Sequence, residues 1–324
     1  MGLETRIIKC SADWTAAGLP LADFLAGRFT YRSRGEWLER IASGEITLNG
    51  KIVPPETRLE LHDSVEYRPG DLPEPPADTA FRTVHEDETL LVIDKPGNLC
   101  VHPAGPFYRN TLWYLLTVKY GEVHLLSRLD RETSGLLVAV RSKAAAAKMN
   151  RASMMREKEY LAVVHGEFKG RMEARGFLFQ DNTSIIRKKR AFAEALPPGA
   201  VKVESAHTVL AAEVPGKRLS VVRAVPVTGR MHQIRATLCS LGFPVAGDKL
   251  YGLDEKFYLD FRNDELTEEK RKLLIFGRQA LHSARLVLEH PETGKILEFT
   301  SPLPPEISPE RAAESEIATD GGSL

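Results

Sequence analysis

The sequence predicts an α+β protein with two folded units, and three observations lead to this prediction. Apolar runs typical of β-strands outnumber helical runs over most of the chain. A proline-rich stretch at residues 69–80 separates a short amino-terminal part from a much longer one. The chain has 324 residues, which is long for one domain of ordinary size and sufficient for two.

The composition excludes several classes of protein. Hydrophobic residues make up 43% and charged residues 27%, which is typical of folded globular domains. The formal net charge of +0 argues against a wholly basic nucleic-acid-binding protein, so any RNA-binding surface is expected to be a local patch. We find no membrane-spanning run, no signal peptide and no disulfide or metal spacing among the three cysteines. We therefore expect a cytoplasmic protein that is not bound to a membrane.

The chain is predicted to have five segments. Residues 1–18 are expected to be an amino-terminal extension, and residues 19–68 a small α/β unit. Residues 69–80 contain four prolines and almost no apolar bulk, which indicates a linker. Residues 81–304 form the large domain, and the acidic residues 305–324 are expected to be a mostly disordered tail.

The small unit is predicted to contain two helices followed by short strands. LPLADFLAGRF has helical apolar spacing, and the next helix, in SRGEWLERIASG, begins with a capping box of Ser33 and Glu36. EITLNGK and DSVEYR are short strand-like runs, and Asn49-Gly50 is a tight-turn signal.

The large domain is predicted to be built on a largely antiparallel sheet. Its strand-like runs are TLLVIDKP, GLLVAVRS, EYLAVVHG, RLSVVRAVPV, ALHSARLVL and KILEFTSP. Its helical runs are fewer: TLWYLLTVKYG, SKAAAAKMNRASMMRE and MHQIRATLCSLG. That mixture predicts an α+β domain. The absence of a P-loop, paired CxxC or HExxH motif gives no indication of a nucleotide cofactor or a metal.

The stretch LLSRLDRETSGLLVAV, residues 125–140, is the most informative one for chemistry. Asp130 lies on a polar, glycine-ended loop between two apolar runs, so buried strands would position a partly solvated carboxylate. Such a position suits a catalytic acid, base or nucleophile, and Arg128 and Arg131 are close enough in sequence to keep the carboxylate ionised. The ordinary alternative is an aspartate that caps the backbone amides of a turn.

Several motifs in this order resemble those of the RluA-type RNA pseudouridine synthases. RLDRETSGLL resembles that family's HRLD-x-x-TSG signature, and LLVIDKPGNLCVHP resembles its KP-x-G-x-x-x-HP segment. KEYLAVVHG resembles the strand that carries the active-site tyrosine, and TGRMHQIRATL resembles the GR-x-HQIR-x-x-L motif. GDKLYG and LHSARLVLEHP complete the series, so the resemblance covers most of the chain.

This resemblance implies a pseudouridine synthase catalytic domain, built on a mostly antiparallel mixed sheet with flanking helices. It implies that Asp130 is the catalytic residue, that Tyr160 lies against the base and that Arg235 pairs with the aspartate. It also implies that Ile234 packs beneath the site, which agrees with the helical spacing of Ile234, Leu238 and Leu241. Judged without the resemblance, Tyr160 is a half-buried strand tyrosine and Arg235 an ordinary surface ion-pair residue.

Arg230 and His232 stand at the predicted start of the helix in TGRMHQIRATL and are candidates for contact with RNA phosphate or base. Ordinary surface ion pairing is the alternative. The basic run IIRKKRAF, residues 185–192, is a further candidate RNA-facing segment, or else an exposed solvated loop.

Residues 19–67 are similar to the S-four-like RNA-binding module, which is named for a small-subunit ribosomal protein. The SR-x2-W-x3-I-x2-G-x-I-x-x-NG order carries this similarity. In that module the second helix offers basic residues to RNA, which implies that Arg32, Arg34 and Arg40 contact RNA. Solvated helix arginines are the alternative.

Four residues depart from the family's pattern. Ser127 replaces the usual histidine of the signature, Met231 replaces a usual threonine or serine, and Ala236-Thr237 replaces valine-histidine. Asp130 and Arg235 are retained, so we expect the reaction to be kept and base flipping or substrate choice to be altered.

The resemblance thus implies an isomerase that converts specific uridines of ribosomal or transfer RNA to pseudouridine without a cofactor or metal, and we expect a monomer. Two alternatives remain open. One is a catalytically silent RNA-binding protein derived from this family, and the other is a nucleosidase that releases the base without rejoining it.

Overall fold

The computed structural model describes residues 7–29, 32–68, 70, 73–151 and 154–312. The chain divides into two compact units. The smaller unit comprises the chain up to Pro75 together with Ala104–Tyr108, and the larger unit comprises Pro76–Pro103 and the chain from Arg109 onward.

The smaller unit packs two helices against a three-stranded antiparallel sheet in the order β1-β3-β2. Its elements are β1 (Ile8–Ser11), α1 (Leu21–Arg28), α2 (Arg34–Ala42), β2 (Ile46–Leu48) and β3 (Ser64–Tyr67). The predicted capping box is confirmed, because the Ser33 hydroxyl accepts from Glu36 N while Glu36 accepts from Ser33 N. The predicted turn is also confirmed, with positive φ at Asn49 and Gly50.

The predicted extension of residues 1–18 needs correction where the structure describes it. Strand β1 pairs with β3 along Ile8↔Tyr67 to Ser11↔Ser64. Ala12 and Ala16 are buried in the core around Trp37. Residues 8–16 therefore belong to the core of the smaller unit rather than to a segment outside it.

The larger unit is α+β, as predicted, with helices flanking one extensive mixed sheet. Its strands are β4 (Arg82–Glu86), β5 (Leu90–Lys95), β6 (His124–Leu125), β7 (Ser134–Val140), β8 (Met155–His165), β9 (Arg171–Gln180), β10 (Arg190–Ala193), β11 (Glu204–Val214), β12 (Leu219–Pro226), β13 (Leu281–Glu289) and β14 (Ile296–Thr300). Its helices are α3 (Leu112–Tyr120), α4 (Lys143–Met149), α5 (Gln233–Ser240), α6 (Lys256–Arg262) and α7 (Glu268–Leu274).

The strands of the larger sheet follow the order β10-β9-β11-β12-β8-β13-β7-β5-β4, while β14 pairs with β13 and β6 pairs with β7. Within the described residues the pairings are antiparallel except for β7 with β13. At that parallel junction Gly135 has a φ of +105°, and a Cβ there would lie 2.3 Å from the Ser283 carbonyl oxygen. The glycine of the ETSG stretch is therefore required by a close approach of two backbones.

The sequence predicts some of these elements better than others. The six strand-like runs all form strands, but β4, β9, β10 and β11 were not predicted. The helix predicted over SKAAAAKMNRASMMRE is wrong in its second half: α4 ends at Met149 and β8 begins at Met155. Pairing of the start of β8 with β13 outweighs the helical propensity of those residues.

The carboxyl-terminal tail also needs correction over its first part. Pro305–Ile307 forms a turn of 3-10 helix, Ile307 is fully buried and Ala312 is nearly so, both in the core that contains Ile234. Residues 313–324, where disorder was also predicted, lie outside the described residues. Residues 73–80 of the predicted linker contain no helix or strand, and residues 69, 71 and 72 are not among those described.

None of the helices in the described ranges is long and apolar enough to cross a membrane.

Candidate active site

The loop between β6 and β7 holds Asp130 in a fixed turn. Thr133 N donates to the Asp130 carbonyl over 3.1 Å, and Leu129 is buried in the core beneath the loop. One residue further on, the Arg131 carbonyl accepts from Leu99 N at 3.1 Å and from Lys95 Nζ at 3.2 Å. The segment that resembles KP-x-G-x-x-x-HP therefore anchors the backbone of the Asp130 loop.

Arg235, on α5, is the partner of Asp130. Its Nη1 donates to Asp130 Oδ2 over 2.6 Å, so the ion pair that the resemblance implies is present. The Arg235 side chain is only 8% exposed, while that of Asp130 is 32% exposed. A substrate can thus reach the carboxylate but not the guanidinium behind it.

Asp248 holds the other side of the same guanidinium. Arg235 Nε donates to Asp248 Oδ2 and Nη2 donates to Asp248 Oδ1, which is a two-point ion pair. Asp248 is fully buried, and its Oδ1 also accepts the backbone N–H groups of Leu250 and Tyr251. The ring of Tyr251 lies 4.9 Å from the guanidinium carbon, so Arg235 is fixed on three sides.

The charges of this cluster set its protonation states. Burial alone would raise the pKa of Asp130, but the charge and hydrogen bond of Arg235 act together with His232 and Gln279 to outweigh it and lower that pKa to about 2. Burial would also raise the pKa of Asp248, which Arg235 again holds below its ordinary value. The two carboxylates in turn raise the pKa of Arg235 despite its burial. All three groups are therefore charged at neutral pH.

Gln279 is a further neighbour of the carboxylate. Its Nε2 donates to Thr133 Oγ1 over 2.5 Å, and its side chain also hydrogen bonds to Asp130, which helps to lower the pKa of that carboxyl. Gln279 is 2% exposed and lies just before β13. It therefore connects the start of β13 to the Asp130 loop across the parallel strand junction.

Tyr160 lies on β8, opposite Ser283 of β13, and packs against two core clusters, one that contains Ile234 and one that contains Leu129. Burial raises its pKa to about 12, which the neighbouring Ser283 side chain only partly offsets. Its phenol is consequently neutral at physiological pH. Asp130 is close enough to raise that pKa further, so Tyr160 belongs to the same site.

Ile234 lies beneath the site as the sequence predicts. It is 7% exposed and packs with Leu238 and the partly buried Leu241 in one core cluster. This apolar face of α5 places its neighbour Arg235 toward Asp130.

His232 immediately precedes α5 with a left-handed backbone, φ 57° and ψ 19°. Its Nδ1 lies 3.0 Å from the Tyr251 hydroxyl and its Nε2 lies 3.7 Å from Asp130 Oδ1. Its side chain is 9% exposed. The structure thus places His232 in the inner part of the site, beside the carboxylate.

Two predicted arginines lie at the surface of the larger unit. Arg128, which was expected to keep the Asp130 carboxylate ionised, is exposed. The charge that acts most strongly on Asp130 is that of Arg235. Arg230 is exposed; its Nε donates to the Ser205 carbonyl at 3.4 Å, and its guanidinium is 3.8 Å from Glu204.

The three arginines predicted to contact RNA in the smaller unit belong to a separate unit from this site. Each makes an ion pair within its own unit: Arg32 with Glu36, Arg34 with Asp23 and Arg40 with Glu45. Arg34 keeps 57% of its side chain exposed. RNA contact by these arginines stays a prediction.

Sequence reasoning missed the roles of Asp248, Tyr251 and Gln279. GDKLYG was recognised as a motif, but nothing in its spacing pairs Asp248 with Arg235. Gln279 carried no signal, because an amide next to a strand is ordinary in sequence. Among the described residues, no group of three or more histidine, cysteine or acidic side chains is arranged to hold a metal ion.

Comparison with known proteins shows which class of protein has this fold and site. A family model described as RNA pseudouridylate synthase matches residues 89–240. The ribosomal large subunit pseudouridine synthase D of Vibrio cholerae is 30% identical over 89% of this chain and 88% of its own length. A tRNA pseudouridine(31) synthase of Saccharomyces cerevisiae is 31% identical over 72% of this chain and 67% of its own.

Among solved structures, the human RNA pseudouridylate synthase domain containing 1 has the same fold. Its TM-score is 0.54 at 24% identity, covering 71% of this chain and 86% of that one. These matches are to enzymes that modify RNA. The chain belongs to the RNA pseudouridine synthase family, whose members are isomerases.

Proposed function

We propose that this chain converts specific uridines of structured ribosomal or transfer RNA to pseudouridine, with Asp130 as the catalytic residue. One contact carries the proposal: the ionised, partly exposed Asp130 carboxylate is held by Arg235 over 2.6 Å. The names of the relatives support both RNA classes, since one is a ribosomal RNA enzyme and another a transfer RNA enzyme.

The proposed reaction breaks the N1–C1′ bond of uridine and forms a C5–C1′ bond. The nucleotide is first taken out of its stack, at a cost of a few kcal/mol. The Asp130 carboxylate then attacks C1′, and the bonding electrons leave with uracil; in a second route it takes the proton from C2′ and leaves a glycal. In both routes the uracil then turns over. In the first route C5 displaces the Asp130 carboxylate from C1′, and in the second C5 bonds to C1′ as Asp130 returns the proton to C2′. In both, C5 then loses its proton and N1 gains one.

The neighbours of Asp130 suit these steps. Arg235 keeps the carboxylate ionised and oriented without contact with solvent, and Gln279 restrains it from the other side. Tyr160 is a neutral phenol with a pKa of about 12, so it can lie against the base and act on a proton only through hydrogen bonding or a strong base.

RNA contacts are proposed at both units. In the larger unit, the exposed Arg230, two residues before His232, is the proposed contact. In the smaller unit, residues 19–68 act as an S-four-like module that presents Arg32, Arg34 and Arg40 to RNA. Residues 69–80 serve as the linker, residues 81–304 as the catalytic domain, and the protein works as a monomer in the cytoplasm.

A catalytically silent RNA-binding protein is the second candidate function. The departures at Ser127 and Met231 favour it, because both positions lie in motifs of the family that border Asp130. The charged Asp130–Arg235 pair favours the enzyme, since RNA binding alone has no need of a buried arginine behind a reachable carboxylate.

Mapping of pseudouridine in cellular RNA tests the proposal. RNA is incubated with the wild type, with Asp130→Asn and with the matched control Asp264→Asn, whose residue is exposed and has a left-handed φ of 61° that asparagine tolerates. We expect conversion by the wild type and the control, and none by Asp130→Asn.

The outcomes separate the alternatives. RNA binding without conversion by the wild type supports the silent binder, and free uracil without pseudouridine supports a nucleosidase. Conversion that survives in Asp130→Asn contradicts the assignment of the catalytic residue.

A further inference from the structure

The hydroxyl of Tyr251 determines which nitrogen of His232 carries the proton. Arg190 N donates to the Tyr251 oxygen over 2.9 Å, and His232 Nδ1 lies 3.0 Å from the same oxygen. These are the partners of that hydroxyl within the described chain, and Tyr251 is 1% exposed. A buried hydroxyl proton needs an acceptor, and the backbone N–H of Arg190 cannot be one.

The Tyr251 proton therefore points to His232 Nδ1, which must be the unprotonated nitrogen of a neutral ring. In the opposite tautomer, Nδ1–H would donate to an oxygen that already accepts from Arg190, and the Tyr251 proton would be left buried without an acceptor. That tautomer would also turn the Nε2 lone pair toward the negative Asp130 Oδ1, 3.7 Å away. Both penalties favour a proton on Nε2.

The surroundings keep this ring neutral. Burial lowers the pKa of His232 to about 4, and the positive charges of Arg235 and Lys188 lower it as well, against the opposing effect of Asp130 and Asp248. The imidazole and the Tyr251 ring pack edge to face, with centroids 5.5 Å apart and an interplanar angle of 85°. Ring and hydroxyl thus meet in a fixed geometry.

We propose that His232 is a positioning residue that works as a neutral Nε2–H hydrogen-bond donor beside Asp130 Oδ1, and that Tyr251 fixes this tautomer. Asp130 Oδ2 accepts from Arg235, and Oδ1 is the oxygen that faces His232 Nε2. An approach of roughly 0.7 Å would bring Nε2 within a normal hydrogen-bond distance of Oδ1. No proton leaves His232 in this role.

The catalytic consequence of this inference rests on the proposed function. The Nε2–H donor orients Asp130 Oδ1 and stabilises the negative charge that returns to the carboxylate when its bond to the substrate breaks. It differs from the contact with RNA that the sequence suggests for His232. A donor to Asp130 affects the rate of conversion, whereas a contact with RNA phosphate affects affinity.

The first test is independent of catalysis. The full chain is labelled with 15N in its histidine rings, and His232→Asn identifies the signals of His232 by difference. We expect the Nε2–H tautomer at neutral pH in the wild type, and a mixture of tautomers in Tyr251→Phe. An Nδ1–H tautomer, a charged ring in the wild type, or an unchanged tautomer in Tyr251→Phe overturns the proposal.

The second test measures single-turnover conversion and RNA affinity of two variants. Glutamine places an amide N–H close to the position of Nε2, and asparagine does not reach it. We expect His232→Gln to stay within about 5-fold of the wild-type rate and His232→Asn to lose about 10- to 100-fold, with RNA affinity unchanged in both.

Backbone strain at residue 232 would favour asparagine over glutamine, which is the opposite of the order of rates that we expect. Asparagine adopts the left-handed conformation of residue 232 more easily than glutamine does, so a purely structural role would favour His232→Asn. Equal losses in both variants, or a loss of affinity in place of rate, overturn the proposal. If the wild type itself converts no uridine, the proposed function fails while the 15N result stands by itself.

Discussion

Asp248 holds Arg235 at two points, with Nε–Oδ2 and Nη2–Oδ1 distances of 2.6 and 2.8 Å. Both side chains are buried, at 0% and 8% exposure. This pairing leaves Nη1 as the remaining end of the guanidinium, and Nη1 donates to Asp130. Asp248 does not contact Asp130 directly. It orients Asp130 through Arg235, which lies between the two carboxylates.

Asp248→Asn is expected to lower both stability and turnover. It leaves the buried Arg235 without half of its compensating charge, which costs about 3 kcal/mol of unfolding free energy. The rate of conversion falls about 10- to 100-fold as Arg235 loses its orientation, while RNA affinity is retained. Urea unfolding and single-turnover kinetics measure the two effects.

Glu292→Gln is the control for that variant. It removes the Lys148–Glu292 ion pair, whose side chains are 42% and 48% exposed, and should change stability by less than about 1 kcal/mol. An equally small effect of Asp248→Asn would contradict the importance of its burial.

The lowered pKa of Asp130 predicts a pH dependence of stability. Its folded-state pKa of about 2 lies below an unfolded value near 3.9, so the unfolded chain binds more protons between these values. Ionised Asp130 therefore stabilises the fold above about pH 4, and this contribution is lost as the pH falls through 2. Urea unfolding at several pH values should show the advantage of wild type over Asp130→Asn shrinking below pH 4. A constant difference would contradict the prediction.

Lys95→Met is expected to destabilise the larger unit. The Lys95 ammonium is fully buried and donates to the carbonyl oxygens of Pro96, Leu99 and Arg131 at 2.7, 3.0 and 3.2 Å. In the variant, three carbonyl oxygens lose their hydrogen-bond donor. Because removal of the buried amino group partly offsets this cost, the free energy of unfolding should fall by about 2 kcal/mol. Thermal or urea unfolding measures it, and the exposed Lys143→Met should be close to neutral.

Gly135→Ala is expected to cost about 3 kcal/mol or more, because a Cβ would meet the Ser283 backbone at 2.3 Å and φ is +105°. Gly277→Ala is the matched control: nothing lies within 4 Å of its Cβ position. The unfolding free energy of Gly135→Ala should be lower than that of Gly277→Ala by most of this expected cost. Similar values would mean that β7 and β13 separate easily.

Lys188 is expected to contact RNA phosphate. Its Nζ lies 4.2 Å from the centre of the Tyr258 ring, it is exposed, and its charge reaches His232 in the site. Lys188→Gln should reduce the slope of log affinity against log salt concentration by about 1. Lys143→Gln, on α4, should leave the slope unchanged. Equal slopes for Lys188→Gln and wild type would exclude this contact.

The sequence predicted the fold where a local pattern was sufficient. Continuous apolar runs such as GLLVAVRS and EYLAVVHG become central strands, and the Ser33–Glu36 capping box begins α2. Met155–Glu157 escaped prediction, because helical propensity there yields to pairing with β13, which begins more than 100 residues later. Edge strands such as β10, with mixed polar character, carry little local signal.

The candidate site was predictable only in part for the same reason. Local pattern placed Asp130 on a loop between strands and Ile234 on the buried face of α5. The Asp130–Arg235 pair joins residues 105 positions apart, and only the resemblance implied it. No periodicity identifies Asp248 or Gln279 as neighbours, because their contacts depend on how α5 and β13 pack together.

These long sequence separations have a consequence for synthesis. Arg235 follows Asp130 by 105 residues, and Gln279 follows Thr133 by 146. At the usual 5–20 residues per second of translation, roughly 5–20 s pass between the emergence of Asp130 and that of Arg235. Throughout that interval the nascent chain has the carboxylate but neither of its partners. The site therefore cannot assemble until Arg235 has emerged from the ribosome, when most of the larger unit has already been synthesised.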